Sequence, residues 1–450
     1  MNDTAKFKWT SWQNLTIIGL AAALGFVLYF NVFGSGAPTD QYHSESSFLD
    51  MGKAGMGVYL VVWEDLHNGN SDIVAALVDP GNKAVKSNFP ITAASGKQSK
   101  PCIAANYKRK EFLVVWEDER NSIGLSKDLY GQLVKYDGSL IGENFKITEK
   151  SYAGCNPAIL YNSKDNSYII VWDDSSNNWT SSDIFGIQIS YDGKPIGKTI
   201  AIAGSPQTSE HNQNPSLAYN AKQNRFVIAW EEWGSYYPYN YFSIKGKSYD
   251  ASAMTSIMDI DISPSLPAGT GVNRKYNPMV AYSEADDKFL VVWSELRTSK
   301  SKGSYIAGVF IDTYGLKILP EFKITDLPEL NETDPSVSSS QLGFLVTYTD
   351  EQQKSTQGFN IYAQGVAYDG KLQGNAFPVS NSPFDQYDSY ISFSPQSNTY
   401  LITWTDRRNL GASGTDIYGQ HLTFKGARIQ TTSNDNFLIT VPKITGQLKP

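Results

Sequence analysis

Seven aromatic residues close short apolar runs, and an acid stands two residues after each: Asp65, Asp118, Asp174, Glu232, Glu295, Asp350 and Asp406. An arginine stands four after three of them, at Arg120, Arg297 and Arg408. Carboxylates at equivalent places could ring a cation or a cationic substrate. They could equally tie their own loops, by capping backbone N–H groups or by pairing with the nearby arginine. A feature present in every unit serves the unit, so the structural reading takes precedence. Asp173 with Asp174, and Glu231 with Glu232, have the oxygen chemistry that calcium needs. No EF-hand loop accompanies them, so no cofactor is expected, and calcium is the one ion with candidate ligands. His43, His67, His211 and His421 are scattered without metal-ligand spacing, and no G-x-S-x-G, P-loop or C-x-x-C element occurs. No catalytic residue is assigned.

One aromatic stretch has no counterpart elsewhere in the chain: the loop after Trp230 that carries Trp233, Tyr236, Tyr237, Tyr239 and Tyr241. Exposed rings suit stacking on sugars or anchoring a protein interface. Trp179 in the preceding unit extends the set. The rival reading is that these rings pack on one another to hold a long loop.

The elements that position these groups repeat. The aromatic anchors are Trp63, Trp116, Trp172, Trp230, Trp293, Tyr348 and Trp404, spaced by 53 to 63 residues. Pro101, Pro157, Pro215 and Pro278 each lie fifteen residues before an anchor. Each unit reads as four strands. The first follows the proline, which suits a strand's first position. The second ends at the anchor. The third opens on Asp-Ile-Tyr-Gly, as at Asp128 and Asp416, and an Asp-Gly turn such as Asp137-Gly138 leads to the fourth. Four-stranded units repeated about an axis make a β-propeller. The fold expected is all-β, a seven-bladed propeller over residues 48–441, with a tail at 442–450. Six or eight blades remain open, because Phe48 replaces the proline in unit one. Ring closure by face packing, or by a shared blade, also remains open. The first strands should be innermost, and the stretches after the prolines carry no Asp, Glu or His. Acid–base chemistry therefore has no seat there.

The sequence of P-x-h-x-Y-N, V-V-W-x-D-x-R-N and D-I-Y-G resembles the repeats of extracytoplasmic microbial β-propellers, including the TolB type. The clearest matches are Trp116, Asp118, Arg120 and Asp128, and again Trp404, Asp406, Arg408 and Asp416. The resemblance spans nearly everything after residue 47. It implies a fold, and a class whose members mostly bind proteins, peptides or glycans and sometimes act as enzymes.

Residues 15–33 are uncharged and apolar enough to cross a bilayer as a helix. Lys6 and Lys8 precede them and acids follow, which places residues 1–14 in the cytoplasm and the rest outside. Residues 34–47 read as a stalk. Cleavage as a signal peptide, giving a secreted protein, is the competing reading. Outside the cytoplasm, Cys102 and Cys155, the only two cysteines, could form a disulfide or stay as two buried thiols. The net charge of -7 argues against a nucleic-acid partner. The composite expectation is a membrane-anchored propeller that binds a protein or a cell-surface polysaccharide. Its alternatives are a glycan-acting hydrolase or lyase, and a structural subunit of a surface assembly.

Overall fold

The computed structural model describes residues 44–49 and 57–440, apart from the short segments 67–69, 82–83, 123–125, 150–155, 176–180, 205–209, 237–238, 266–273, 297–302, 328, 353–357, 381, 410–413, 426–427 and 432–435. The expected membrane span, Trp179, Tyr237, Arg297 and Cys155 lie outside the described residues. Among the described residues no helix is long and apolar enough to cross a membrane.

The chain is a seven-bladed β-propeller of four-stranded antiparallel blades. Each blade uses four consecutive strands, and the last adds a short fifth, Phe437–Leu438, against its third. First strands touch first strands of both neighbouring blades all round the ring, which makes them innermost. The ring closes by face packing: the first sheet contains only strands from its own unit. Tyr59, Val61 and Trp63 of blade one pack with Leu401, Ile417 and Ile439 of blade seven. Tyr59 Oη donates to the Thr399 carbonyl at 3.1 Å, and Gly57 N to Gln396 Oε1 at 2.8 Å, across the same seam.

Blade one corrects the expected boundary. Its first strand is Ser44–Leu49, paired from Ser44↔Trp63 to Leu49↔Val58, so the propeller takes four residues assigned to the stalk. Eight residues separate Leu49 from Val58, where four separate Asn106 from Glu111, so the place of the repeated proline falls at Ser44 rather than Phe48. Blades two, four, five, six and seven all break register two to three residues before the inner strand's apolar run. At that break Lys100, Asn214, Asn277, Asp334 and Asp388 have φ between 51° and 59°. In four of these blades the next residue is the repeated proline, whose missing N–H suits a place where the ladder is interrupted.

The core is a stack of second strands. Trp116, Trp172, Trp293 and Trp404 are fully buried, as are Phe112, Tyr168, Phe289 and Tyr400 four residues before them. Two residues of the same parity lie on one sheet face, so each blade presents an aromatic pair to its neighbour. Trp116 enters the cluster shared with blade one, and Trp293 that shared with blade four.

Candidate functional site

The anchor motif builds a brace. Asp118 is fully buried and accepts from Trp116 Nε1 at 2.8 Å, from the Arg120 backbone at 2.9 Å, and from Arg120 Nε and Nη2 at 2.9 and 2.7 Å. The Arg120 guanidinium lies 4.1 Å from the Tyr130 ring and reaches Thr92 of blade one. Blade seven repeats each contact: Asp406 with Trp404 and Arg408, and Arg408 over Tyr418 at 3.9 Å. Asp128 pairs with Lys146 at 2.9 Å, and Asp416 accepts from Asn409 and Thr440. These acids hold blades together, and the third-strand aspartates tie their own blades. Asp173 and Asp174 go to different neighbours: Asp173 faces Asn156 and Asn214, while Asp174 faces Asp183. Adjacent residues on a strand point oppositely, so the pair forms no common cage. Among the described residues no three His, Cys, Asp or Glu groups converge on a metal position.

The polar residues at the inner-strand bulges form a belt around one mouth of the channel, with the first acids after the anchors woven into it. Lys100 Nζ donates to Asn156 Oδ1 and pairs with Glu117 at 3.4 Å. Asp173 accepts from Asn156 Nδ2 at 2.6 Å and from the Asn214 backbone at 2.9 Å. Glu231 accepts from Asn214 Nδ2 at 2.7 Å and from the Asn277 backbone at 2.6 Å. Asn277 Nδ2 then donates to Asp334 at 2.6 Å. Burial pushes the Glu231 and Asp334 carboxyls up to about 6, with Asp388 adding to the shift of Asp334, and burial raises Asp173 too. The inner strands thus do carry acids, contrary to the sequence reading. They start earlier than the proline and include Glu45, His211, Glu332, Asp334 and Asp388.

The aromatic loop is a hairpin, not a loop. Blade four's second and third strands, Arg225–Tyr236 and Tyr239–Asp250, are 12 residues each and stay paired to Tyr236↔Tyr239. Elsewhere these two positions hold strands of seven to ten residues. The hairpin register puts Ser243 opposite Glu232, at the place of Asp128. Pairing also separates the expected patch. Trp233 is opposite Phe242, and Gly234 is opposite Tyr241, so Trp233 and Tyr241 lie on opposite faces.

Trp233 faces blade five. Its ring stacks on His211 at 3.8 Å and 6°, and its Nε1 donates to Gln213 at 3.2 Å. Burial lowers the His211 pKa, so the imidazole in this stack is neutral at pH 7. Arg274 of blade five lies 5.8 Å from the Phe242 ring and 5.9 Å from that of Tyr276. Glu231 shares this face, so the belt and the hairpin meet there. Tyr241 faces blade three, beside Glu210 and Glu232, with its hydroxyl pKa raised by burial and by those charges. A Cβ on Gly234 would come within 2.6 Å of Tyr241 Oη, so this ring lies across the glycine. Tyr236 and Tyr239 are the last backbone pair before the turn.

Cys102 is a buried free thiol in the core of blades two and three, with its pKa raised by burial.

No protein-family model matches the chain, and no curated protein sequence matches it. Solved structures do. The β-propeller domain of the Trilobed protease from Pyrococcus furiosus is similar over 88% of this chain and 99% of its own, at 8% identity and TM-score 0.47. An α-L-arabinanase from Penicillium chrysogenum, solved with arabinobiose, covers 71% of this chain and 92% of its own, at 10% identity and TM-score 0.43. A Dyadobacter fermentans protein of unknown function covers 70% and 92%, at 12% identity and TM-score 0.44. The likeness concerns fold alone.

Proposed function

We propose that this propeller is a binding module, held outside the cytoplasm by residues 15–33, that recognises a cell-surface glycan or a protein. The observation that carries this reading is the blade-four hairpin. Its two strands outrun their counterparts in the other blades, and it sets Trp233, Phe242 and Arg274 beside the belt residues Glu231 and Asn277. A ring over apolar C–H groups and a guanidinium beside a carboxyl suit a ligand with both apolar and hydroxyl or acidic faces. The belt carboxylates Asp173, Glu231 and Asp334 each accept two or more hydrogen bonds, which supports holding over turnover.

A glycan-acting enzyme is the second reading, favoured by Glu231 and Asp334, two carboxyls pushed to about 6 and joined through Asn277. Such groups can give or take protons near neutrality. The test is a glycan array and an envelope-fraction capture with the full chain, repeated with Trp233 and Tyr237 both changed to Ala. Recognition by the hairpin predicts binding that the double variant loses. Release of sugar that Glu231→Gln abolishes would support the enzyme instead.

A further inference from the structure

The opposite mouth of the channel holds a cavity of about 310 Å³ between blades four and seven. It is lined by Tyr219, Tyr282, Ser339, Gln341 and Phe393, with Lys222 and Glu284 at its rim. This mouth carries the turns between first and second strands, so it lies at the other end of the blades from the hairpin.

The cavity has a cause in the repeat. The next-to-last residue of each inner strand is aromatic in most blades: Tyr161, Tyr219, Tyr282 and Phe393 occupy equivalent register positions. Blade six has Ser339 there, paired with Phe344. Its following turn is also two residues shorter: Ser340 pairs with Gly343, where Asn162 pairs with Ser167 and Asn220 with Arg225. Blade two lacks the ring as well, with Ala105 in place, but its turn residue Tyr107 folds back onto Tyr161 edge-on at 5.4 Å. Blade six has no such ring on its turn, which is Gln341-Leu342. One repeat position is therefore left without its aromatic side chain, and the space opens between rings from blades five and seven.

We propose that this socket binds a single neutral sugar ring. Tyr282 and Phe393 supply aromatic walls for the C–H face of a pyranose. Gln341, Lys222 and Glu284 supply an amide, an ammonium and a carboxylate for its hydroxyls. The Lys222 ammonium donates to the Glu284 carbonyl at 2.6 Å across the rim. One positive and one negative side chain at the rim favour a neutral ligand over a charged one. The volume is at the low end of the ~300–1,000 Å³ range of ligand sites, a size for a terminal sugar rather than a long chain segment. The socket is separate from the hairpin and does not need it.

The experiment is saturation-transfer NMR on the full chain with a panel of methyl pyranosides, and with phenol as a control. The expected result is transfer to at least one glycoside, lost tenfold or more in Ser339→Tyr, which restores the missing ring. Gln341→Ala, on an exposed turn, should weaken the same signal without altering the melting temperature, which covers the case where Ser339→Tyr fails to fold. The Trp233 and Tyr237 double variant should keep the signal, so this site and the hairpin stand or fall apart. Transfer to phenol alone, no transfer to any glycoside, or an unchanged signal in both socket variants would overturn the proposal.

Discussion

Glu231, on the second strand of blade four, accepts the backbone N–H of Asn277, on the inner strand of blade five, at 2.6 Å. That N–H belongs to a residue with φ of 54°, at a bulge where the ladder offers it no partner. The carboxylate therefore satisfies a donor that the fold itself exposes. Asp173 does the same for Asn214, and Ser294 Oγ does it for Asp334 at 3.2 Å. The belt is the bulge's consequence.

This relationship sets a pH dependence. The Glu231 carboxyl sits at about 6 in the fold, above its ordinary 4.5, because burial penalises the charge. A raised folded pKa means stability that is complete below about 4.5 and lost as pH rises through about 6. The difference is worth about 2 kcal/mol. Asp334 and Asp173 shift the same way. Between pH 7 and pH 5 the buried His421, lowered to about 4, and His211 pull the other way, so the comparison that isolates Glu231 is the change in urea midpoint from pH 7 to pH 5 in Glu231→Gln against the parent. The variant should gain less, or lose more, on acidification than the parent does; an identical change in both would contradict the raised carboxyl.

Trp116→Ala should destabilise by about 3–5 kcal/mol, the scale for a buried large aromatic. Its ring is fully buried, and its Nε1 contact to Asp118 would go too. Denaturant titration of the variant against the parent gives the value. A loss below 1 kcal/mol would be inconsistent with the blade packing.

Arg120→Ala should remove about 3 kcal/mol, because Asp118 remains buried with only the indole and one backbone donor. Arg120→Lys should not restore it, since an ammonium cannot reproduce the two-point contact from Nε and Nη2. Recovery with lysine would mean that charge alone matters at the brace.

The sequence made the blades legible because each repeats an anchor, an acid and an Asp-Gly turn. Asp137 accepts from Ser139 N at 2.9 Å and Gly138 has φ of 74°, as that turn requires. The inner strand of blade one is hard to read because the turn after it is four residues longer than that of blade two, which moves the strand away from the place fifteen residues before the anchor. The belt has a signal in the sequence: the residues before the repeated proline position are Lys100, Asn156, Asn214, Asn277, Asp334 and Asp388, all polar. In sequence the hairpin reads as a loop because its paired strands continue past the anchor, and pairing alone separates Trp233 from Tyr241. The aromatic four residues before each anchor was likewise readable, since Tyr59, Phe112, Tyr168, Phe226, Phe289, Phe344 and Tyr400 share that place.

Gly234→Ala should disturb the blade-three face of the hairpin and spare the other. The added Cβ would meet the Tyr241 ring at 2.6 to 2.8 Å, so the ring must move. Trp233 and its stack on His211 lie on the far side. The NMR ring-current shift of His211 under Trp233 should therefore stay nearly constant. A large change would place the two side chains on one face.

The most direct test of recognition is a binding titration that compares the two faces of that hairpin. The ligand is the glycan or protein selected by the array and capture screen. Trp233→Ala and Arg274→Ala should each weaken binding tenfold or more, with melting temperatures close to the parent. Tyr241→Phe should bind as the parent does. Equal affinity across all three variants, with the folds intact, would contradict a recognition surface between blades four and five.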